Sequence, residues 1–154
     1  MEKTPNDSNA EVIIRMFPSD ANPAGNVFGG AILKHIDMVA GIVAQRYSQT
    51  NAVTVSMDKI SFLKPVFVGN VLFVNARVNY VQKSSMEIEV NVEAEDIAKG
   101  TRVHTGNAYV TFVALDDNGK PTPVPTLHID NSEDQKRFDE GKFRMERRLK
   151  QREN

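Results

Sequence analysis

The stretch "GNVFGGAILKHIDMVAGIVAQR", residues Gly25–Arg46, decides the fold. After a glycine-rich start, apolar residues recur at helical spacing, which predicts a helix over residues 29–47. The apolar positions surround the helix on nearly every side: Ile32, Leu33, Ile36, Val39, Ala40, Val43 and Ala44. A helix that is apolar nearly all round is typical of one enclosed by other structure. We therefore expect this helix at the centre of the domain.

One charged residue interrupts the apolar run. Between His35 and Gln45 every residue is apolar or glycine except Asp37, and a carboxylate is costly to bury unless something pairs with it or uses it. On the helical wheel its face also carries Gly30, Leu33, Lys34, Ala40, Gly41 and Ala44. Most of these are small and would let a substrate or a partner backbone approach, which makes Asp37 a candidate catalytic residue. The structural alternative is an ion pair between Asp37 and Lys34 at the edge of the core.

The glycines before the helix offer a second candidate feature. Gly29 and Gly30 fall at the helix N-terminus, where free N–H groups suit a polarised carbonyl or an anion; the alternative is a helix start that needs glycine for its backbone angles. Gly30 and Asp37 are ~10 Å apart along one helix axis, whereas a reacting carbonyl needs its base or nucleophile within ~3–3.5 Å. A site that uses both features is more easily built from two subunits. Asn26 would then face Asp37 of the partner subunit as a neutral orienting group.

After Thr50 the hydrophobic period changes from 3.6 to 2. The segments "VLFVNARVNYV", "SSMEIEVNVEAE" and "HTGNAYVTFVAL" alternate between apolar and polar residues, as strands with one buried face do. In "AVTVSMDKISFL" the apolar parity changes, which predicts a bulge near Asp58–Lys59. Short links predict antiparallel pairing of successive strands. The expected fold class is α+β, with an antiparallel sheet curled around the central helix.

Composition limits the class of protein. A chain of 154 residues suits one domain, and its net charge of −1 gives no overall field to attract nucleic acid or an anionic membrane. There is no cysteine, hence no disulfide and no thiolate site. The longest apolar run, "MVAGIVA", is too short to span a bilayer. These features favour a cytoplasmic protein whose anionic ligands are met by local basic groups.

The chain divides into three parts on composition. Residues 1–10 are polar and predict a flexible arm, and residues 11–127 hold the domain. Residues 128–154 are highly charged and predict a solvated helix that is capped by Asn131 or Ser132. Its thin apolar seam consists of Phe138, Met145 and Leu149.

Other polar groups carry weaker signals. His35, His104 and His128 have no metal-ligand spacing, and no glycine pattern of a nucleotide hydrolase or a dinucleotide enzyme follows a strand. Two basic groups suit phosphates, although ordinary polar turns have the same composition. They are the turn Lys83, Ser84 and Ser85, and the strand start with Arg102 and His104.

Taken together, these motifs resemble a known family. The segments "NPAGNVFGGAILKHIDMVAGIVAQR", "VTVSMDKISFLKPVFVG", "SSMEIEV" and "DDNGKPTPVP" are similar to those of the hotdog-fold acyl-CoA thioesterases. The similarity is to the broad-range branch that includes the bacterial YciA-type enzymes and brain acyl-CoA hydrolase. It runs from about Arg15 to Pro125. The catalytic histidine motif of hotdog dehydratases is not found.

The resemblance implies hydrolysis of acyl-CoA to free fatty acid and CoA. It assigns Asp37 as general base or nucleophile, Asn26 as its partner across a dimer interface, and the amides around Phe28, Gly29 and Gly30 as the oxyanion site. For the CoA phosphates we expect Lys64, Lys83, Ser84, Ser85 and Arg102. The acyl chain would lie beside Ala40, Gly41 and Ala44. The family implies no cofactor other than CoA as part of the substrate, no metal, and a homo-oligomer that is often a hexamer of three dimers.

Two other functions stay open at this point. A non-catalytic module of the same fold would bind acyl-CoA or a nucleotide without releasing thiol. A hotdog dehydratase or hydratase would act on acyl thioesters, but Asp37 lacks an obvious histidine partner for that chemistry.

Overall fold

The structure, a computed structural model, describes the backbone of residues 1–153 and the side chains of residues 1–152. The strands are β1 (Glu2–Lys3), β2 (Ala10–Arg15), β3 (Asn51–Phe62), β4 (Val71–Gln82), β5 (Ser85–Asp96), β6 (Thr101–Leu115) and β7 (Thr126–Leu127). The helices are α1 (Gly29–Ser48) and α2 (Ser132–Glu153), with short 3₁₀ turns at Pro5–Asp7 and Pro18–Asp20. The expected central helix is confirmed, because α1 begins at the predicted glycine and its predicted apolar positions are buried except for the half-buried Leu33.

The main sheet has five antiparallel strands in the order β2-β4-β5-β6-β3, and α1 packs on its inner face. The prediction that successive strands pair is right for β4, β5 and β6 but wrong for β3, which pairs with β6. The segment between β3 and β4 does not turn back as a hairpin. Instead it crosses to the loop before α1, where the Val27 N–H donates to the Val66 carbonyl at 2.7 Å and Asn26 forms a bridge with Phe67. As a result, β3 is left as an edge strand.

The predicted irregularity in β3 is confirmed. The register with β6 shifts between Asp58 and Ser61, and Lys59 adopts a left-handed φ of 51°. A second shift lies between Thr54 and Ser56 and was not predicted, because Val53 and Val55 keep the alternation intact. The two shifts set which side chains of β3 face α1 and which face outward.

The N-terminal residues differ from the predicted flexible arm. β1 pairs in parallel with β7, and the Lys3 ammonium donates to the carbonyls of Arg46 and Tyr47 at the end of α1, at 3.1 and 3.0 Å. A cation at a helix C-terminus satisfies free carbonyls and interacts favourably with the helix dipole. Composition alone did not reveal these contacts, because they join residues more than forty positions apart.

The C-terminal helix also differs from the prediction. Asn131 is confirmed as its cap, since its Oδ1 accepts the Asp134 N–H at 2.8 Å. However, α2 is not simply solvated: it packs on the outer face of the sheet, where Met145 is buried and the ring of Phe138 meets that of Tyr80 edge-on, 4.8 Å between centroids. Leu149 stays exposed, so the predicted apolar seam ends before it. Because α2 has few apolar residues, charged side chains also join it to the sheet, as in the ion pairs Arg77–Asp134 and Arg144–Glu87.

The central contact of α2 is a buried ion pair. Arg144 donates from Nη2 to Glu87 Oε1 at 2.7 Å and from Nε to Oε2 at 3.0 Å, and its guanidinium lies 3.6 Å from the ring centre of Tyr109. Burial alone would lower the pKa of Arg144, but the hydrogen bonds and charge of Glu87 raise it above its usual value. Glu87 is only 3% exposed, so Arg144 replaces the water that would otherwise hydrogen-bond to its carboxylate.

Neither helix in the described part of the chain is long and apolar enough to cross a bilayer.

Candidate active site

Asp37 lies half-buried in the middle of α1, with its carboxylate turned toward the edge strand β3. Thr54 of β3 donates from Oγ1 to Asp37 Oδ1 at 2.7 Å. Asp37 forms no ion pair with Lys34 or any other described residue, so the structural alternative is not observed. A hydroxyl that donates to one oxygen fixes the carboxylate and leaves the other oxygen available.

Thr54 is a site residue that the sequence analysis missed. Its side chain reaches Asp37 although it stands between Val53 and Val55, both exposed. The available signal was a lone hydroxyl between two valines in the strand that directly follows the helix. Only the register of β3 shows that this hydroxyl faces α1, because a shift of one residue would turn it to the other face.

The small residues of α1 near Asp37, namely Ala40, Gly41 and Ala44, differ in exposure. Ala40 and Ala44 have no exposed surface, and a Cβ on Gly41 would meet the ring of Phe112 at 3.8 Å. Ala40 and Ala44 therefore pack inside the domain, whereas Gly41 is half-buried, and the acyl path beside these residues stays a prediction. The exposed apolar neighbours of Asp37 on α1 are instead Met38 and Ile42.

The N-terminus of α1 has two amides that no other group uses. No side chain caps the helix at Phe28, whose own N–H donates to the Asp20 carbonyl at 2.9 Å. Within residues 1–153 the amides of Gly29 and Gly30 have no hydrogen-bond acceptor. Because no acidic residue lies in the first turn, the positive end of the helix dipole is not neutralised locally. These two N–H groups suit a carbonyl oxygen that gains negative charge.

A cleft of about 280 Å³ opens beside this helix end. It is lined by Asn22, Asn26, Phe28, Gly29, Phe62 and Lys64, among others. The structure thus brings together the predicted loop asparagine, the helix-start residue Gly29 and one predicted CoA-binding lysine. Gly30 lines a second cleft, which shares Phe28 with the first. Asp37 of the same chain is not part of the lining, in agreement with the ~10 Å that separates Gly30 from Asp37 along the helix.

Asn22 is the second residue that the sequence analysis missed. Its Oδ1 accepts the N–H groups of Ala24 at 3.0 Å and Asn26 at 3.2 Å, which shapes the glycine loop. The same side chain lines the cleft, and its amide nitrogen has no partner among the described residues. The signal in the sequence was an asparagine directly before Pro23, a common turn arrangement.

The remaining predicted CoA contacts lie far apart. Lys83, Ser84 and Ser85 form the turn into β5, whereas Arg102 pairs with Glu95 near the other end of β5. Ten residues of strand span about 33 Å. Arg102 is also engaged, with its Nε 2.8 Å from Glu93 Oε2 and its guanidinium 3.5 Å from the ring centre of Phe73. These residues do not form a single phosphate site within one chain.

The histidines do not form a metal centre. Among the described side chains, those of residues 1–152, no three from His, Asp or Glu come together in a way that would hold a metal ion. His35 lies in α1 beside Lys34, and burial, assisted by the Lys34 charge, lowers its pKa despite the opposing effect of Asp20. Burial and the Lys34 charge both favour the neutral form of this imidazole.

Comparison with known proteins identifies the family. Residues 24–101 match the family model of the thioesterase superfamily, a range that covers α1, β3, β4, β5 and the part of the preceding loop that holds Asn26. The chain belongs to the thioesterase superfamily. This member is 40% identical over 139 residues to a rat protein named cytosolic acyl coenzyme A thioester hydrolase, covering 89% of this chain. It spans only 36% of that relative's length.

Solved structures of the superfamily share the architecture. An acyl-CoA hydrolase from Staphylococcus aureus, in complex with butyryl coenzyme A, coenzyme A and coenzyme A disulfide, is 34% identical, with a TM-score of 0.91 and coverage of 99% of this chain and 93% of that one. An apo-hexameric acyl-CoA thioesterase is 30% identical, with a TM-score of 0.92; the match covers 97% of this chain and 96% of that chain. The expected hotdog fold is thereby confirmed.

Three variants of the S. aureus hydrolase have also been solved. In them an aspartate, an asparagine fifteen positions before it, or a threonine seventeen positions after it is replaced by alanine.

In this thioesterase-superfamily chain the edge of β3 nearest Asp37 is apolar and unpaired. β3 is an end strand of the sheet and exposes Val53, Val55 and Phe62. The neighbouring helix α1 exposes Met38 and Ile42. A long apolar edge strand offers free backbone groups for pairing with another chain, and soluble proteins usually cover such an edge. The candidate carboxylate therefore lies next to a surface that is suited to a second subunit.

Proposed function

We propose that this chain hydrolyses the thioester of acyl-CoA to a free fatty acid and CoA. The observation that carries the proposal is Asp37: a half-buried carboxylate on the central helix, held by Thr54 at the free edge of the sheet. The amides of Gly29 and Gly30 supply the second element of such a site. Membership of the thioesterase superfamily and similarity to acyl-CoA hydrolases support the same reaction.

Spacing supports Asn22 and Thr54 as further members of this site. Asn22 stands fifteen positions before Asp37 and Thr54 seventeen positions after it. The three residues replaced in the S. aureus variants are separated by the same intervals. Asn26 was predicted from its position in the loop, and both asparagines line the cleft. We favour Asn22 as the orienting amide, with Asn26 as the alternative that the experiment below tests.

The active unit that we propose is a dimer joined at the β3 edges. Two β3 strands pairing across a twofold axis would cover the exposed apolar edge and place Asp37 of one subunit near the other subunit. The helix-start amides and Asp37 would then come from different chains, which removes the ~10 Å conflict within one helix. The hexameric assembly of the similar thioesterase supports a hexamer of three such dimers.

The chemical step follows from these positions. The thioester carbonyl oxygen accepts hydrogen bonds from the Gly29 and Gly30 amides, and water attacks the carbonyl carbon while Asp37 of the partner subunit takes its proton. The carbon–sulfur bond then breaks, and the CoA thiolate that leaves takes up the proton held by that aspartate. Direct attack by the carboxylate, through an anhydride that water later opens, is the other form of the same reaction. Both forms need the same two groups.

CoA would reach this site past Lys64, which lines the same cleft as the two asparagines. A lysine ammonium can neutralise a phosphate as a point charge. Lys83, Ser84, Ser85 and Arg102 can contribute to the same CoA only from different subunits, because of their separation in one chain. The apolar surface of Met38, Ile42 and Phe62 offers the acyl chain a path beside Asp37.

Release of free thiol from acyl-CoA tests the activity directly. Tight CoA binding without thiol release would instead favour a non-catalytic binding module. The rat relative carries the word cytosolic in its name, and we propose the same location for this chain.

Thr54→Val should reduce kcat about 10- to 100-fold with KM nearly unchanged. The substitution keeps the shape of the side chain but removes the donor to Asp37, and a hydrogen bond to a charged group is worth about 1.5–3 kcal/mol. Thiol-release kinetics give both constants. Thr54→Ser retains the hydroxyl and is the matched control, which should restore most of the activity. Equal kcat values for the valine and serine variants would contradict a role for this hydrogen bond.

Mixing two inactive variants should recover activity if the site is shared between subunits. The pair is Asp37→Ala and Asn22→Asp; the second keeps the Oδ oxygen that shapes the loop and removes the amide donor. After equal mixing and random exchange, about half of the dimers contain one subunit of each variant. Each mixed dimer holds one intact site and one site that carries both substitutions, so about a quarter of all sites would be intact. Thiol release by the mixture, compared with each variant alone, measures the recovery.

The same mixing with Asn26→Ala in place of Asn22→Asp separates the two asparagines. Only the variant that has lost the orienting amide should lose activity alone and regain it with Asp37→Ala. Subunit exchange is followed with two size tags. Proven exchange without any recovery in either mixture would argue against a site built across the dimer.

A further inference from the structure

A second concentration of functional groups lies away from the candidate active site, on the outer face of the sheet. There the C-terminal half of α2 and the bulge of β3 enclose a groove of about 200 Å³. Its lining is Asp58, Lys59, Arg144, Arg147, Arg148 and Gln151, which amounts to four cations and one carboxylate. Asp58 in the lining and Glu87 behind Arg144 offset two of these charges, so the groove keeps an excess of two positive charges in a chain whose net charge is −1.

Two of these cations are fixed from behind. Arg144 is held by Glu87 through Nε and Nη2, while Arg148 donates from Nη1 to Ser56 at 2.7 Å and Thr111 at 2.6 Å. Neither set of contacts uses all five N–H groups of a guanidinium. Arg144 Nη1 and the Nε and Nη2 of Arg148 have no acceptor among the side chains that the structure describes, those of residues 1–152. The groove thus presents preorganised donors at low cost in side-chain entropy.

The other two cations are free to contribute their charge. Among the described side chains, Lys59 and Arg147 form no ion pair. The one carboxylate in the lining, Asp58, lies 3.7 Å from Arg148 Nη1, a distance too long for a strong hydrogen bond. Lys59 stands at the left-handed position of the β3 bulge, which is unusual for a residue other than glycine or asparagine. Such a conformation in a non-glycine residue is often retained for a functional reason.

From this arrangement we propose that the groove between α2 and the β3 bulge is a binding site for a phosphoryl group. Several arginine N–H groups and an ammonium that converge on one small space suit a tetrahedral oxyanion. At about 200 Å³ the groove is smaller than the ~300–1,000 Å³ clefts that hold whole drug-sized ligands. It therefore fits the phosphate part of a ligand. The source is free phosphate or the terminal phosphate of a nucleotide.

Thermal unfolding of the 154-residue chain tests the proposal. Ligand that binds only the folded state raises Tm in a saturable way, so sodium phosphate should raise Tm beyond sodium chloride at equal ionic strength. A parallel titration with ADP distinguishes the two sources. The ligand that gives half of its maximal rise in Tm at the lower concentration, its midpoint, is the better match to the groove. The assay contains no thioester, so its outcome is independent of the proposed hydrolysis.

Charge variants locate the site. Arg147→Glu and Lys59→Asn should each raise the phosphate midpoint at least about tenfold, since each removes a charge-assisted hydrogen bond. Asparagine tolerates the left-handed backbone of residue 59, which keeps the bulge intact. Lys142→Glu is the matched control: it makes the same charge reversal on an exposed position of α2 outside the groove and should leave the midpoint unchanged. A phosphate response equal to that of chloride, or one that both groove variants retain, would overturn the proposal.

Discussion

Asp37→Asn should lower kcat for acyl-CoA hydrolysis by about 10²- to 10⁴-fold, the range that a positioned general base contributes. Asparagine keeps the size of the side chain and the oxygen that accepts the Thr54 hydroxyl, but it can neither take a proton from water nor attack the thioester readily. Release of free thiol from a series of acyl-CoA chain lengths measures the loss. The free energy of unfolding should change little, because the side chain is only half-buried.

Lys34→Gln is the matched control for this experiment. It removes the only cation that the sequence offered as a structural partner of Asp37, and the structure shows no ion pair between them. Its kcat should stay near that of the unmodified protein. Near-normal turnover in the Asp37→Asn variant would refute the assignment of Asp37, whatever the effect of Lys34→Gln.

Arg144→Met should lower the free energy of unfolding by about 3–5 kcal/mol, the usual cost of removing one partner of a buried ion pair. Glu87 is only 3% exposed, and both of its oxygens accept from Arg144. Without the guanidinium, either the carboxylate stays buried without its charge partner or α2 must leave the sheet. Urea unfolding at one fixed protein concentration measures the change, since oligomer stability depends on concentration.

A double variant makes this prediction specific. Glu87→Leu combined with Arg144→Met removes both charges, and replacing a whole buried ion pair by apolar residues is often neutral or stabilising. The double variant should therefore be more stable than Arg144→Met alone. A loss below about 1 kcal/mol in the single variant would show that the contact between α2 and the sheet contributes little to stability.

Much of the fold was predictable from the sequence because its causes are local. The start of α1 follows from glycines that meet a helical apolar period, and the Asn131 cap follows from one side-chain oxygen near one free N–H. The bulge at Lys59 follows from a parity change within a single strand. Each of these depends on residues only a few positions apart.

Within the candidate site, the sequence identified Asp37 and the amides of Gly29 and Gly30 but not Thr54 or Asn22. Asp37 stands out because a charge in an apolar helix violates a rule of composition. Thr54 violates none, and its importance depends on the register of β3 against β6, which turns its hydroxyl toward α1. Asn22 is an ordinary turn residue until the loop folds back and brings it into the cleft.

The sequence by itself determined most of the secondary structure, the central position of α1 and the presence of one candidate catalytic carboxylate, Asp37. Only the tertiary structure decided which strands are neighbours, that β3 is an open edge beside Asp37, and that α2 and the N-terminus pack on the domain. Periodicity records which face of an element is buried, but it does not record what covers that face. The choice of partner depends on contacts between residues far apart in the chain, such as Lys3 with Tyr47 and Arg144 with Glu87.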